Sequence, residues 1–385
     1  MIQSSPKSAT HGFSLVELMV AMTIGLIGMI IFMQVFQASE GIKRTTTSGG
    51  DSQQNGVIAL YNIEHDLRNA GMGFNDTAFA DCRTAGTVLG YDSLRTTPDF
   101  ATVANPLLLV PAFITAGAGA TDPDQIKIFY GSQTIVAAAG LVDKDMTAPL
   151  DSILLKNHYG FRSGDLIVLM QPGSGKNCSL MEITQGYETS AVGPLQHGTT
   201  NYGVSWLGGT PVKTPRFNKA AGLGVFYTGS NTANATRVFN LGNLHDLSGT
   251  LPVLNTYSIS NNTLMVQSDF NIIAGLPATN SIADNIVHMR ARYGMADGTF
   301  TATAPANWQQ LVSVRVAVVA RSTNYERPPP GGTAADCTAT PAAPLWSGGT
   351  FNLTATVPTA DEWMCYRYRV FETTIPIRNW IWSSS

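Results

Sequence analysis

Charged side chains are scarce in this chain. Lys, Arg, Asp and Glu together make 13% of its 385 residues, about half of the share that is usual in soluble domains. The formal net charge is −3, which excludes the strongly basic surface that nucleic-acid binding requires. Hydrophobic residues make 44% of the chain, so general disorder is excluded as well. The 37 glycines and 20 prolines favour many short strands joined by loops.

Motifs with catalytic or metal-binding spacing are also missing. The chain has neither a G-x-S-x-G elbow nor an H-E-x-x-H helix. Residues 173–177 (GSGKN) look like a phosphate loop, but Met170 stands where the first glycine belongs and Asn177 replaces the hydroxyl residue. Residues 122–124 (DPD) are expected to form a turn and not a calcium loop, because no further oxygen ligands follow at regular spacing. We therefore expect no enzyme activity, no catalytic residue, no metal and no cofactor.

What the sequence does have is one long uncharged run at its amino end. The 22 residues from Leu18 to Ser39 carry no charge. At about 1.5 Å per helical residue they are long enough to cross the hydrocarbon core of a membrane. A cleavable secretory signal would have a shorter apolar run followed by a small-residue cleavage site. Hydropathy alone therefore predicts a membrane anchor.

Glu17 indicates more than an anchor. A carboxylate in a membrane helix costs about 2.5–3.5 kcal/mol at the bilayer centre, and less near an interface. Cleavage after Gly12 would leave Phe13 as the first residue, with its positive amino group at the depth of Glu17. That pair could form within one helix or between neighbouring helices, where one buried polar group can set the axial register. We therefore expect Glu17 to fix register during assembly.

The segment from Gly12 to Leu18, at the head of the apolar run, resembles the signal of type IV prepilins. That signal has a small residue, then Phe, then Glu at the fifth position after the cut. The resemblance implies cleavage between Gly12 and Phe13 by a prepilin peptidase, followed by N-methylation of Phe13. Two features depart from the family: the leader has a single lysine with His11 before the cut, and Gln34 stands where major pilins place a proline. The second departure argues against a major pilin.

Both ends of the chain resemble the PilW family of type IV pilus minor pilins. Residues 54–73 contain the helical D-L-R-x-A-G phrase, with Gly71 as a helix C-cap, and residues 312–322 and 368–379 look like the family's terminal strands. Residues 75–280 carry no such resemblance. The resemblance implies an α+β, type IV pilin-like fold, in which a long N-terminal helix, half of it transmembrane, packs against a large antiparallel β-rich head. The expected parts are a cleaved leader at 1–12, a transmembrane and filament-core helix at 13–39, an amphipathic second half at 40–73 and an extracytoplasmic head at 74–385.

Side-chain periodicity predicts where the helix and the head pack. An apolar stripe at helical spacing is predicted from Val57, Leu60, Tyr61 and Leu67, after a weakly helical stretch at 45–50. Strands are predicted at 125–130, 165–170, 237–239 and 263–267. Three alternating segments near the carboxyl end are expected to form an antiparallel sheet with one face on the helix and the other lined by solvated arginines. The predicted inner residues are Val287, Met289, Ala291, Tyr293, Val312, Val314, Val316, Val318, Tyr366, Tyr368 and Val370; the predicted outer ones are His288, Arg290, Arg292, Arg367 and Arg369.

The four cysteines are expected to be oxidised. A head anchored outside the cytoplasm meets an oxidising compartment, and Cys82, Cys178, Cys337 and Cys365 allow three connectivities. We favour Cys82–Cys178 and Cys337–Cys365, because neighbours in sequence often close local loops. A zinc site is the rival interpretation, but the chain lacks C-x-x-C spacing and its histidines are scattered.

The leading functional hypothesis is a minor pilin that is incorporated into a type IV pilus or primes its assembly, at the tip, and supports pilus biogenesis, adhesion and twitching motility. The implied partners are other minor pilins, the major pilin, the prepilin peptidase, the inner-membrane assembly platform and a large tip adhesin. A single helix would cross the bacterial inner membrane with the head in the periplasm, and the assembled protein would lie on the cell-surface pilus. Nucleic acid is not an expected partner.

Two alternatives stay open. A minor pseudopilin of a type II secretion system would carry the same signal, but its deletion would block exoprotein release while pili persist. A protein of another class, an anchored extracytoplasmic ligand-binding protein or enzyme, would use residues 75–280 as its working part. No catalytic constellation is visible there, so this alternative ranks lower.

Overall fold

The structure is a computed structural model that describes residues 14–74, 88–94, 107–132, 140–157, 159–186, 194–204, 211–224, 227–229, 235–246, 251–273 and 275–381. Helix α1 covers Leu15–Asn69 and helix α2 covers Arg378–Ile381. The strands, in chain order, are β1 Val88–Leu89, β2 Ala112–Thr115, β3 Gln125–Tyr130, β4 Gly140–Leu141, β5 Asp165–Met170, β6 Cys178–Glu182, β7 Tyr202–Gly203, β8 Val212–Lys213, β9 Arg237–Asn243, β10 Val253–Ser260, β11 Thr263–Ile273, β12 Leu276–Asp284, β13 Ile286–Met295, β14 Phe300–Thr301, β15 Leu311–Arg321, β16 Leu345–Trp346, β17 Gly349–Thr350 and β18 Tyr368–Pro376. The chain divides into two compact units, residues 1–51 and 52–385.

The first unit contains the amino-terminal part of α1. This segment combines Leu and Met, which have high helix propensity, with Ile, Val and Phe, and proline is absent from it. Its large apolar side chains between Leu15 and Phe36 are exposed, and the segment is long and apolar enough to cross a membrane. The helix continues without a break through residues 45–50, which the sequence marks as its least helical part.

The strands of the second unit form three larger sheets and two small two-stranded sheets within the described residues. Their orders are β1-β6-β5-β9-β4 in sheet I, β12-β11-β10-β3-β2 in sheet II and β14-β13-β15-β18 in sheet III. All strand pairs are antiparallel except β1 with β6. The structure thus confirms a long N-terminal helix and a large antiparallel β-rich head. The predicted strands at 125–130 and 165–170 have the predicted bounds, and those at 237–239 and 263–267 are parts of the longer β9 and β11.

The carboxyl-terminal part of α1 shares the main core with sheets II and III, and the predicted stripe is right at Leu60 and Leu67 and wrong at Val57 and Tyr61. Ala59, Ile63 and Leu67 are fully buried, whereas Val57 and Tyr61 are 51% and 65% exposed. The reason is the small residue Gly56: a Cβ built there would lie 2.0 Å from the Phe371 ring. Gly56 therefore lets Phe371 of β18 approach the helix, and Val57 and Tyr61 stay outside the core.

Sheet III confirms the predicted antiparallel pairing of three strands and corrects which residues face the helix. The register of β13 against β15 shifts between Ile286 and His288 and again between Gly294 and Met295. Each shift moves side chains to the other face. Ile286 and Leu311 consequently join the main core in place of Val287 and Val312, while Met289, Ala291, Tyr293, Val314, Val316 and Val318 lie in it as predicted.

The outer face of sheet III is a second core and not a solvated arginine face. Val287, Ala317 and Val319 pack there against Trp346, Phe351 and Leu353, with Tyr368 and Val370 alongside. The arginine interpretation is therefore wrong for two positions: Arg290 and Arg292 lie within 4 Å of the buried Asp124 carboxylate. Tyr368 and Val370 also face away from the helix, since they pair with Arg321 and Val319 of β15.

His288 is a buried titratable group in this second core. Its ring packs against Phe351 with centroids 5.3 Å apart. Burial, reinforced by the positive charge of Arg290, lowers the pKa of His288 to about 4, although Asp124 opposes the shift. Below pH about 6.5 the unfolded chain binds a proton that the folded chain does not, so acid is expected to destabilise the head.

Acidification should therefore lower the free energy of unfolding through this one side chain. With respect to this group, the free energy of unfolding has its full value above pH about 6.5, and it falls by about 3 kcal/mol as the pH approaches 4. His288→Phe should abolish this part of the pH dependence, while the exposed His65→Gln should leave it unchanged. Denaturant unfolding of the detergent-solubilised full chain at pH 7 and 4.5 measures the difference. An equal loss in wild type and His288→Phe would contradict the assignment.

Candidate assembly site

Glu17 lies in the first turn of α1, on an exposed apolar helix. It is the acidic residue of that turn, and its neighbours Leu15, Val16 and Leu18 are all more than half exposed. The next polar side chain, Thr23, returns its hydroxyl to the carbonyls of Met19 and Val20, which satisfies it within the helix. A single carboxylate therefore stands on a surface whose other side chains favour lipid or another apolar helix. Gly12 and Phe13, the predicted cleavage and methylation positions, lie outside the described residues.

Asp66 joins the helix to sheet II. Its side chain is 7% exposed. Its Oδ1 accepts a hydrogen bond from the Tyr130 hydroxyl at 2.9 Å, and its Oδ2 accepts from the Tyr257 hydroxyl and from Asn255 Nδ2, both at 2.8 Å. The register of β3 against β10, with Val253 opposite Tyr130, Asn255 opposite Ile128 and Tyr257 opposite Ile126, puts these three donors on the same face of sheet II.

The two tyrosines remain hydrogen-bond donors at any physiological pH. Burial raises the pKa of Tyr130 and of Tyr257 well above the ordinary range, and the negative Asp66 carboxylate raises both further. The buried charge of Asp66 is thereby met by three fixed donors. Such a fully satisfied buried network gives the helix one defined position on the sheet.

Backbone groups at the end of α1 form hydrogen bonds to two segments of the head. Gly71 has a φ of 84°, a left-handed conformation that favours glycine, and this confirms it as the helix C-cap. From that position its N–H donates to the Phe129 carbonyl at 3.0 Å. Asn379, more than 300 residues further along the chain, donates through Nδ2 to the Asn69 carbonyl at 3.2 Å. Both β3 and the carboxyl-terminal segment therefore hold the last turn of the helix.

The Cys337–Cys365 disulfide is confirmed, with Cα atoms 5.0 Å apart. It closes the loop that carries Trp346, Phe351 and Leu353 onto sheet III, so it holds the second core in place. Cys178 is disulfide-bonded as well. Its predicted partner, Cys82, lies outside the described residues, and the Cys82–Cys178 pairing stays a prediction.

Several residues that bond the elements of the head to one another, or to α1, are not predicted from the sequence. Asp124, read there as part of a turn, is buried and accepts hydrogen bonds from Arg290 Nη1 and from the Ala291 N–H. Asn255, Tyr257 and Asn379 meet their partners only through long-range folding. Of the residues in these contacts, Asp66 is the one that the sequence itself could indicate. It adjoins Leu67 of the buried stripe, and a buried acidic side chain needs a hydrogen-bond partner. The GSGKN segment is a turn after β5, with Ser174 Oγ bonded to the Gln171 carbonyl.

Comparison with known families assigns both ends of the chain. Residues 7–33 match the Prokaryotic N-terminal methylation motif, and residues 255–379 match PilW, Type IV Pilus-assembly protein W. The second match begins at Asn255 and ends at Asn379, two residues that bond to the last turns of α1. No curated protein and no solved structure matches the chain. The chain therefore carries a prepilin methylation motif, an apolar helix long enough to cross a membrane and a PilW region in its head, a combination that supports a type IV pilus-related minor pilin.

Proposed function

We propose that the protein is cut between Gly12 and Phe13 by a prepilin peptidase, methylated at Phe13 and incorporated into a type IV pilus, whose assembly it primes. Before assembly, the helix of residues 13–39 crosses the inner membrane once and residues 74–385 lie in the periplasm. Afterwards the head stands on the cell-surface pilus. The observation that carries the proposal is the single carboxylate of Glu17 at the start of α1, at the fifth position after the proposed cut and directly before the uncharged, exposed run of residues 18–39.

Register is the mechanism that this arrangement supports. In lipid the Glu17 carboxylate is unfavourable unless a positive group lies beside it. The amino group created at Phe13 of an adjacent subunit supplies that charge at one axial position only. Apolar packing between helices has little directional preference, so the ion pair selects the register while packing supplies most of the contact area.

The size of the head favours the tip of the filament. About 310 residues follow the helix. Heads of that size are difficult to pack side by side along a shaft made of repeating subunits. At the tip the head can contact the other minor pilins, the major pilin below it and a large tip adhesin above it. From there it supports adhesion and twitching motility through its role in pilus biogenesis.

Electron microscopy of cells that carry an epitope-tagged chromosomal copy tests this function. We expect immunogold label at filament ends, dependence of that label on the prepilin peptidase, and loss of surface pili and twitching when the gene is deleted. Label spread uniformly along the shaft would contradict the tip position. Absence of the protein from filaments would contradict incorporation.

A pseudopilin of a type II secretion system is the second candidate, because the methylation motif at residues 7–33 serves both machines. The match of residues 255–379 to a pilus-assembly protein favours the pilus. A deletion strain that keeps its pili but fails to release exoproteins would reverse this preference.

A further inference from the structure

A cavity of about 310 Å³ lies in the head, at residues that the pilus function leaves unused. Its polar lining includes Glu182 at the end of β6, Lys213 at the end of β8, Arg216 and His245, and its apolar lining includes Phe270 and Ile272 of β11. The volume is at the lower end of the range for small-molecule sites. It fits one ligand of about the size of a single sugar ring.

The polar wall is built around the buried carboxylate of Glu182, which is 0% exposed. The Tyr202 hydroxyl donates to its Oε1, and the backbone N–H of Arg216 donates to its Oε2 at 2.7 Å. The Tyr202 oxygen in turn lies 2.8 Å from His245 Nε2. Because the hydroxyl proton points at Glu182, this nitrogen must be the donor, and the imidazole is held in one orientation. Gly164 leaves room for it, since a Cβ there would lie 2.7 Å from the ring.

The charges of the wall leave one cation unmatched. The Arg216 guanidinium is held by two hydrogen bonds of 2.7 Å to the Asp92 carboxylate, so its charge is neutralised. The Glu182 carboxylate is satisfied by the donors named above. Lys213, half-buried on β8, has no acidic partner among the residues that the structure describes. The cavity therefore favours a ligand with a negative group at the Lys213 side.

The apolar wall is rigid and aromatic. The Phe270 ring is 5% exposed and packs against Phe129 and Phe217, with ring centroids 5.8 and 5.7 Å apart. Phe270 is therefore a fixed, almost fully buried part of the cavity wall, and Leu244, Leu251 and Ile272 complete the apolar lining. A small apolar wall, an oriented imidazole and an unpaired cation form a complementary set for a ring that has C–H groups, hydroxyls and one carboxylate.

We propose that this cavity binds a carboxylate-bearing monosaccharide unit of a glycan. Lys213 receives the carboxylate, His245 binds a hydroxyl, and the apolar wall that includes Leu251 and Ile272 contacts the C–H groups of the ring. The inference does not depend on the proposed pilus function, because every residue that carries it belongs to the head and none takes part in the Glu17 register.

Calorimetric titration of the detergent-solubilised full chain tests the site. The probes are D-glucuronate and N-acetylneuraminate as acidic sugars, D-glucose as the neutral sugar and acetate as the carboxylate alone. At least one acidic sugar should bind about tenfold more tightly than either glucose or acetate, because a charge-assisted hydrogen bond and ring contact act together. No binding of either acidic sugar, or equal binding of acetate, would overturn the proposal.

Three variants separate this site from general charge effects. Lys213→Gln should weaken binding of the acidic sugar about tenfold, and the exposed Lys156→Gln should leave it unchanged. His245→Gln should weaken it as well. Unchanged near-ultraviolet circular dichroism shows that each variant is folded. Equal affinities of Lys213→Gln and Lys156→Gln would overturn the assignment of the carboxylate position.

Discussion

Glu17→Ala is expected to remove the protein from filaments while leaving it in the membrane. Without the carboxylate the helix inserts at least as well, since the cost of burying the charge is gone, but a neighbouring amino terminus no longer finds a unique axial position. We expect its amount in sheared filaments to fall about tenfold or more, as loss of an ion pair worth at least about 1.4 kcal/mol implies. Quantitative immunoblots of filament and membrane fractions measure both amounts.

Two further variants in the same helix separate charge from polarity. Glu17→Gln retains a polar side chain of similar size and should fail like Glu17→Ala. Gln34→Ala removes a polar group without changing the charge and should be incorporated normally. Wild-type amounts of Glu17→Ala in the filament fraction would show that the register does not depend on this carboxylate.

Asp66→Ala is expected to have the largest effect on the stability of the head. The change removes the shared acceptor of Tyr130, Tyr257 and Asn255, and only the Tyr257 hydroxyl keeps another acceptor, the Asn62 carbonyl at 3.3 Å. Each unsatisfied buried donor costs about 1–3 kcal/mol, and a loss of more than about 4 kcal/mol in total is the range that breaking a buried network produces. Denaturant unfolding of the full chain in detergent, followed by tryptophan fluorescence, measures this change.

Glu64→Ala is the matched control for Asp66→Ala. Glu64 lies two residues earlier on the same helix and pairs with Arg68 at the surface, so its loss should cost about 0.5 kcal/mol or less. Asp66→Asn should fall between the two, because the amide retains one acceptor oxygen. Similar losses for Asp66→Ala and Glu64→Ala would show that the buried network does not hold the helix.

The parts of the fold that sequence could predict are those encoded locally. The uncharged run at Leu18–Ser39, the glycine cap at Gly71 and the strands Gln125–Tyr130 and Asp165–Met170 follow from short patterns of side chains. The antiparallel sheet near the carboxyl end followed from alternation in the same way. In each case neighbouring residues contain the whole signal, so no knowledge of distant contacts was needed.

The errors arose where distant segments decide the outcome. The alternation of β13 could not reveal the register shift that sends Val287 to the outer face. Val57 and Tyr61 follow a regular helical pattern of apolar residues, but Phe371 packs against Gly56 and these two side chains lie outside the core. Arg290 and Arg292, predicted to be solvated, are paired because a segment 166 residues before Arg290 supplies the Asp124 carboxylate.

The residues of the assembly signal could be predicted from the sequence, whereas those of the cavity could not. Gly12, Phe13 and Glu17 form a contiguous signal that can be read without a structure. The cavity in the head could not be predicted, because Glu182, Tyr202 and His245 are separated by 20 and 43 residues and match no motif. Only folding places the carboxylate, the hydroxyl and the imidazole in contact.

The mass of the mature amino-terminal peptide tests the central claim most directly. The protein would be purified from cells with and without the prepilin peptidase and measured by mass spectrometry. The account predicts a chain of 373 residues that begins at Phe13 and carries one methyl group on its amino nitrogen, and a full-length chain beginning at Met1 when the peptidase is missing. An amino terminus at Met1 in the wild-type strain would contradict it.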